Sequence, residues 1–260
     1  MKIFIAGDII GKPGRTILEK YLKKNINKYE FVIVNGENSA SGFGITEKIA
    51  EDFFDIGIDV ITSGNHIWDR KDVYDYLNME HRLLRPLNYP IGVPGNGYGI
   101  YTSKSGIKVG VINLQGRVFM SEIDSPFQRV TPILKEIQKE CKIVIVDFHA
   151  EATSEKMAMG WYLDGKTSLV FGTHTHVMTA DNRILNKGTG YITDVGMTGG
   201  SDSVIGTNKE RVIEKFLNGL PARFEVSEEA IRINGIEAEV DEETGLCLEI
   251  KRVDLGLDEI

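Results

Sequence analysis

The sequence contains only two cysteines in 260 residues, Cys141 and Cys247. Each stands alone in an apolar or strand-like stretch, so the spacing indicates neither a disulfide framework nor a zinc knuckle. Such sparse, unpaired cysteines are typical of a reducing compartment, and we expect a cytoplasmic protein. No apolar run approaches the roughly 20 residues that cross a bilayer, and no charged leader precedes the first strand. We therefore expect neither a membrane span nor an export signal.

Positive charge is also scarce, because 30 Lys and Arg residues face 38 Asp and Glu residues, for a formal net charge of -8. This balance argues against a basic face for nucleic acid as the main activity. It does not exclude a phosphate ester, since bound cations reverse the field inside a pocket. Hydrophobic residues make up 42% of the chain, which is enough for a full core. With no internal repeat or low-complexity linker, we expect one domain over residues 1–260.

Short apolar runs alternate with segments of helical spacing along the first two thirds of the chain. The predicted strands there cover residues 2–6, 31–34, 59–62, 109–113, 143–146 and 168–171. The predicted helices cover residues 13–28, 47–56, 70–78 and 132–140. This alternation predicts an α/β fold with a mostly parallel sheet covered on both faces. Added antiparallel strands are predicted at residues 183–185, 190–193, 223–233 and 246–253, with loops at 91–99 and 196–206.

Polar residues concentrate directly after the predicted strands. In a parallel sheet, the carboxyl ends of the strands open onto one crevice, where ligands bind. Eight residues at these positions are the candidate site: Asp8, Glu37, Asn38, Asn65, His66, His149, His174 and His176. The fifth histidine, His81, lies near a predicted helix end, where a surface role is expected.

The candidate set holds two carboxylates, two amides and four imidazoles, without a thiolate. Oxygen and nitrogen ligands together suit manganese, iron or zinc better than magnesium or calcium. Glu37 is the natural carboxylate to bridge two cations. If residues 174–176 are extended, His174 and His176 face the same side and each reaches a different metal. The pattern predicts a two-metal centre.

Each of these segments also has a purely structural explanation. Asp8 is a plausible helix cap, and the dipeptide at residues 37–38 is typical of a turn. Residues 64–66 fit a left-handed turn with a structural imidazole. The His-x-His pair has no such structural explanation. All five segments also follow the carboxyl ends of predicted parallel strands, where ligands bind, and this shared position favours a functional site.

Six motifs together resemble one bacterial group, the YmdB-like branch of the calcineurin-like metallophosphoesterases. They read GDxxG, NGEN, SGNHxWD, DFHAEATSEK, GTHTHVxTAD and YITDVGMTG, and the resemblance runs from Met1 to at least Gly206. It implies a four-layer α/β/β/α sandwich, the calcineurin-like metallophosphoesterase fold. It also implies hydrolysis of phosphodiesters, including 2′,3′-cyclic nucleotides, at a di-metal centre of iron or manganese, with zinc as an alternative.

The resemblance assigns a role to each candidate. Asp8 and His176 would hold the first metal with Asn38 nearby, and the second metal would be held by Asn65, His149 and His174. Glu37 would bridge the two ions, and His66 would stand beside them as a general acid or a phosphate contact. The usual Asp-x-His opening of the superfamily is Asp8-Ile9-Ile10 here, so Asn38 is expected to compensate for the missing imidazole.

The predicted reaction is attack on phosphorus by a hydroxide held between the metals, on a small phosphodiester or cyclic nucleotide. Alternatives are a broader phosphomonoesterase, a nuclease acting on RNA ends, or a regulatory nucleotide-binding module that keeps the metal site. Residues 151–156, Arg117 and residues 197–203 are candidates to shape the substrate pocket. A homo-oligomer is left open; Phe119 and Trp161 would suit an interface, although core burial is the preferred interpretation.

Overall fold

The computed structural model describes residues 1–260, which form a mixed α/β fold with two sheets. The six helices are α1 Gly11–Asn25, α2 Glu47–Asp55, α3 Val73–Met79, α4 Pro126–Ile137, α5 Thr153–Leu163 and α6 Lys209–Asn218. The first eight strands are β1 Lys2–Ala6, β2 Asp8–Ile9, β3 Phe31–Asn35, β4 Val60–Thr62, β5 Tyr98–Thr102, β6 Lys108–Gln115, β7 Ile143–His149 and β8 Leu169–Thr173. The remaining five are β9 Arg183–Ile184, β10 Gly190–Ile192, β11 Met197–Gly200, β12 Ile231–Val240 and β13 Cys247–Gly256. None of the helices has the length and apolar character needed to cross a membrane.

The two sheets each have a parallel centre and antiparallel additions. The first has seven strands in the order β2-β11-β12-β1-β3-β4, with β13 paired to β12. The second has six strands in the order β5-β6-β7-β8-β10-β9. Strands β1, β3 and β4 are parallel, as are β6, β7, β8 and β10, whereas β5, β9, β12 and β13 join antiparallel. The single sheet predicted from the strand and helix alternation is therefore wrong, whereas the two sheets implied by the motif resemblance and the added antiparallel strands are present.

One hydrophobic cluster combines side chains from both sheets, so the two sheets share an apolar face. Its members include Ile5, Phe31, Val111, Ile145 and Phe171, none of which is exposed. Burying one such side chain is worth about 1.5–3 kcal/mol. Because the opposite faces of these strands are also buried, the strands read as continuous apolar runs rather than alternating ones.

Helices cover the other face of each sheet. Helices α1, α2 and α3 contribute Leu18, Phe53 and Leu77 to a cluster that contains Val32 of β3. A separate cluster joins helices α4 and α5 to side chains of β6, β7, β8 and β10 on the second sheet. The buried strands thereby hold their carboxyl ends in fixed positions.

Most of the predicted elements of the first two thirds are present, but several boundaries differ. Helix α4 begins at Pro126 and contains Pro132 in its interior, where the prediction had placed a helix start. Strand β12 begins at Ile231, so the strand predicted at 223–233 is largely wrong, and the loop predicted at 196–206 contains β11. Helix α6 was not predicted. Phe119 is 90% exposed and Trp161 47% exposed, so the prediction of core burial is wrong for both.

Candidate metal centre and active site

The five predicted segments converge at the carboxyl ends of five strands. Strands β1, β3 and β4 of the first sheet lead into Asp8, residues 37–38 and residues 65–66. In the second sheet, β7 ends in His149 and β8 ends at Thr173, directly before the histidine pair. His149 Nε2 lies 3.0 Å from His174 Nδ1 and 2.9 Å from Glu37 Oε1, so segments of different sheets meet at this point.

Three atoms that could bind a metal, each from a different segment, lie close to His149 Nε2. This nitrogen lies 2.9 Å from Glu37 Oε1, 3.1 Å from Asn65 Oδ1 and 3.0 Å from His174 Nδ1. One hydrogen on Nε2 points in a single direction and satisfies one of these acceptors, whereas a cation attracts all of them. The donor set, carboxylate, amide and imidazole, is one that zinc, iron or manganese accepts. These residues fit a metal ion.

The tautomer of His149 is set by a chain of hydrogen bonds behind the ring. Its Nδ1 lies 2.9 Å from the hydroxyl of Thr173, which itself donates to Asp147 Oδ1 at 2.7 Å. The hydroxyl proton is thus directed at Asp147, so Nδ1 is the donor to Thr173. When the ring is neutral, the Nε2 lone pair therefore faces the cluster, the orientation that a metal ligand needs.

A second group of donors lies beside the first. His176 Nε2 is 3.6 Å from Asp8 Oδ1, and His176 Nδ1 donates to the carbonyl of Ile205 at 2.9 Å. The amide of Asn38 donates to the carbonyl of Gly42 at 3.0 Å, which fixes its orientation and leaves Oδ1 free.

Three buried oxygens in these groups have no hydrogen-bond partner in the protein: Asp8 Oδ1, Glu37 Oε1 and Asn38 Oδ1. A buried carboxylate or amide oxygen without a partner costs free energy, so such atoms are rare in native proteins. Cations bound between the two groups would satisfy all three. The oxygens therefore support a metal centre that includes both groups.

Charge in the cluster follows from burial and pairing. Burial opposes a positive charge on His176, but the carboxylate of Asp8 outweighs it and raises the pKa of His176 to about 9. Burial and then the neighbouring His149 lower the pKa of His174 to about 3. Burial opposes a negative charge on Glu37, but His149 outweighs it and lowers the pKa of that carboxyl. The carboxylates stay ionised and available to cations.

The backbone of the histidine pair is not extended, so that part of the prediction is wrong. His174 has φ 97° and His176 has φ 64°, both in the left-handed region that residues with a Cβ seldom adopt. The two side chains diverge because the chain turns at each histidine, which aims one ring at His149 and the other at Asp8. Held strain of this kind is typical of functional sites.

A buried ion pair holds this strained loop in place. Asp194 Oδ2 accepts from Lys156 Nζ at 2.7 Å, from the Thr175 hydroxyl at 2.7 Å and from the Thr175 backbone at 3.2 Å. Lys156 is 2% exposed and Asp194 is fully buried. Lys156 was among the residues predicted to shape the substrate pocket, but it is buried and does not line the cavity. Its pairing with Asp194 was not predicted from the sequence.

Gly64 and Asp147 also help to position the residues that could bind a metal. A Cβ on Gly64 would lie 2.1 Å from His149 Cδ2, so only glycine leaves room for that ring. Asp147 accepts from the amide of Asn35 and the hydroxyls of Thr62 and Thr173, and burial raises its pKa to about 7. Asp147 was not predicted from the sequence, although a carboxylate inside the apolar run of β7 is a signal that could have indicated such a role.

His66 stands beside the donor cluster instead of within it. Its Nδ1 lies 2.8 Å from Asp69 Oδ2, and its backbone N–H donates to Glu37 Oε2 at 2.9 Å. The ring lies partly exposed at the wall of the cavity that contains the donors. Because Asp69 occupies Nδ1, Nε2 is the nitrogen that is free to meet a ligand.

Four of the candidate metal ligands line a cavity of about 470 Å³, namely Glu37, Asn38, His174 and His176. Its opposite wall is formed by residues 204–207, helix α6 and residues 224–226, none of which was predicted to contribute. Of the residues proposed to shape the pocket, Glu151 lines it, whereas Arg117 and residues 197–203 do not. His81 contacts Asn96 outside the cavity, as expected of a surface histidine.

A sequence model of the family described as YmdB-like protein matches residues 4–253. The chain belongs to this YmdB-like family. A Bacillus subtilis (strain 168) relative, a 2′,3′-cyclic-nucleotide 2′-phosphodiesterase, is 47% identical over 255 residues, which is 97% of this chain and 96% of the relative. The resemblance drawn from the six motifs is confirmed.

Two solved structures are similar to this YmdB-like protein over nearly its whole length. A hypothetical protein from Thermus thermophilus has a TM-score of 0.92 and 38% identity, covering 98% of this chain and 99% of that one. A protein described as a novel phosphatase, from Mycoplasma pneumoniae, has a TM-score of 0.91 and 37% identity, covering 98% and 93%. The mixed α/β architecture is therefore shared by these relatives.

Proposed function

We propose that this protein is a metal-dependent phosphodiesterase that hydrolyses 2′,3′-cyclic nucleotides. The observation that carries the proposal is the convergence of four donor atoms, from Glu37, Asn65, His149 and His174, at the end of a cavity large enough for a nucleotide. The Bacillus subtilis relative, a 2′,3′-cyclic-nucleotide 2′-phosphodiesterase, gives the substrate class.

The residues divide into two ligand groups with one shared carboxylate. Asn65, His149 and His174 would hold one ion, and Asp8, His176 and Asn38 would hold the other, with Glu37 between them. The mixed oxygen and nitrogen set favours iron or manganese, with zinc as an alternative. When bound, the ions polarise the phosphoryl oxygens and acidify a water that serves as nucleophile.

The side chains of this protein orient the substrate and move a proton. His66, with Asp69 at its Nδ1, presents Nε2 to the cavity. In a 2′,3′-cyclic ester the leaving group is a ribose oxygen, which needs a proton as the P–O bond breaks. A protonated His66 would supply it from Nε2, while the contact of Nδ1 with Asp69 holds the ring in position.

The proposal extends to the architecture and setting of the protein. Two sheets that share an apolar core, with helices on the other face of each, support the four-layer α/β/β/α sandwich of the calcineurin-like metallophosphoesterases. The three continuous clusters support a single domain over residues 1–260. Two free, buried cysteines support a cytoplasmic location.

A substrate panel on protein loaded with manganese tests the proposed function. Its members are a 2′,3′-cyclic nucleotide, a 5′-nucleotide and a short RNA with a terminal phosphate, compared in wild type and in a His66→Ala variant. We expect hydrolysis of the cyclic nucleotide and a loss of about 100-fold or more in kcat for the variant, with its metal content unchanged. Preferred hydrolysis of the 5′-nucleotide or the RNA end would instead favour a phosphomonoesterase or a nuclease. Full turnover by metal-loaded His66→Ala would contradict the role of the imidazole.

A further inference from the structure

The cavity has two ends of different chemistry. The donor end contains Glu37, His66, His174 and His176. The other end is walled by apolar side chains from α6, from its flanks and from the loop after β3, namely Phe43, Ile205, Val212, Phe216, Phe224 and Val226. A phosphate needs only the first end, so the second must be explained separately.

Three phenylalanines at the apolar end have no role in the core. Phe43 is 39% exposed, Phe224 is 41% exposed and Phe216 is 81% exposed. None of them belongs to a hydrophobic cluster of the fold. Exposed aromatic rings that gather around one cavity, next to convergent polar groups, are typical of a ligand-binding surface.

Two of these rings are held in position. Arg70 donates through Nε to the carbonyl of Phe43 at 3.2 Å and through Nη2 to that of Ala40 at 2.9 Å, which fixes the loop. The ring of Phe43 lies edge-on to that of His66, with 5.0 Å between centroids. Lys215 Nζ lies 4.7 Å from the centroid of Phe224, a cation–π contact that orients this ring. The aromatic surface therefore begins at the proposed proton donor.

We propose that the apolar end binds the nucleobase of the substrate, which stacks on Phe224 and Phe43 while the phosphate lies at the donor end. This inference rests on the proposed function and names the group that the function leaves undefined. Stacking uses the π-face that every base has, so it tolerates different bases. A purine offers a larger face than a pyrimidine, and purine substrates should bind more tightly.

The base lies away from the reacting phosphorus, so its contacts are the same before and during the reaction. Such uniform binding lowers KM and leaves kcat unchanged. Phe224, which does not contact His66, is thus a specificity-determining group, and its removal should not alter metal binding or the chemical step.

A pair of substrates separates base binding from phosphate chemistry. The first is adenosine 2′,3′-cyclic phosphate, and the second is ribose 2′,3′-cyclic phosphate, which lacks the base. For Phe224→Ala we expect KM to rise about tenfold with the first substrate and to stay unchanged with the second. Phe119→Ala, a change at an exposed phenylalanine outside the cavity, should alter neither.

A measurement without turnover gives a second readout. In saturation-transfer NMR with adenosine and protein loaded with zinc, which is diamagnetic, the base protons should receive more saturation than the ribose protons, and Phe224→Ala should remove the difference. Equal KM for both substrates, together with no preferential saturation of the base, would overturn the inference and leave the proposed function intact. Absence of turnover on every phosphodiester would overturn the proposed function, while the NMR result would still decide whether a base binds here.

Discussion

The two walls of the cavity differ in how they are built. The donor wall lies at the ends of buried strands, and Asp8, Glu37 and His149 are fully buried there. The opposite wall is helix α6 and its flanks, and in α6 only Val212 is buried. Groups that perform chemistry must be held rigidly, whereas groups that bind a variable part of a substrate tolerate exposure. Changes in the donor wall should therefore affect metal content and turnover, and changes in the opposite wall should affect KM.

The largest effect is expected at the centre of the donor wall. His149→Ala removes the nitrogen around which three other donors gather, so the protein should lose bound metal and at least about 100-fold in kcat. Elemental analysis of protein purified without chelator measures the first effect, and steady-state kinetics the second. His81→Ala, on a surface histidine outside the cavity, is the matched control and should change neither. If the His149→Ala variant kept its full metal content, His149 would not be a metal ligand.

The next effect should fall on stability through the buried pair behind the donor wall. Lys156→Met leaves Asp194 as an unpaired buried charge, which should lower the free energy of unfolding by about 3–5 kcal/mol. Loosening of the strained loop should also weaken metal binding. Thermal unfolding monitored by circular dichroism measures the loss.

The control for this prediction is Lys108→Met, which breaks an exposed pair with Glu140 whose two atoms lie 2.8 Å apart. Exposed ion pairs contribute little, so this variant should unfold close to wild type. Similar losses in the two lysine variants would show that the buried pair has no special role in the donor wall.

The smallest effect is expected in the opposite wall. Asn208 caps α6 by accepting from the backbone N–H of Arg211 at 3.1 Å, and Asn208→Ala should destabilise this helix by about 1 kcal/mol. Hydrogen exchange should become faster in α6, and KM for the cyclic nucleotide should rise a few-fold, while metal content stays unchanged. Thr46→Ala, at the cap of α2, is the matched control because that helix packs into the core. A similar rise in KM for Thr46→Ala would contradict the separation of the walls.

The donor wall was largely predictable from the sequence, for a physical reason. Buried parallel strands read as apolar runs, and polar residues placed directly after them must meet at one edge. Asp8, Glu37, Asn65, His149 and the histidine pair could thus be brought together from spacing alone. The left-handed backbone at His174 and His176 could not, because it depends on the contacts of Asp194 with Thr175 and Lys156.

The opposite wall was not predicted, because nothing local to it indicates its role. Helix α6 has apolar residues at helical spacing, namely Val212, Ile213, Phe216 and Leu217, but only Val212 is buried, and such spacing does not show that this side of the helix faces a cavity. The apolar pattern alone predicted one sheet where there are two, since periodicity shows that a strand is buried but does not show which strand is its neighbour; only the motif resemblance implied two sheets. The pairing of β12 with β1 places β11, β12 and β13 in the first sheet, whereas β9 and β10 extend the second.

Anomalous scattering from crystals of the protein, recorded at the iron and manganese absorption edges, tests the central claim most directly. We predict two peaks about 3.5–4 Å apart, one beside Asn65, His149 and His174 and the other beside Asp8 and His176, with Glu37 between them. Crystals of catalytically active protein that show no peak among these residues, or peaks elsewhere in the molecule, would contradict the account.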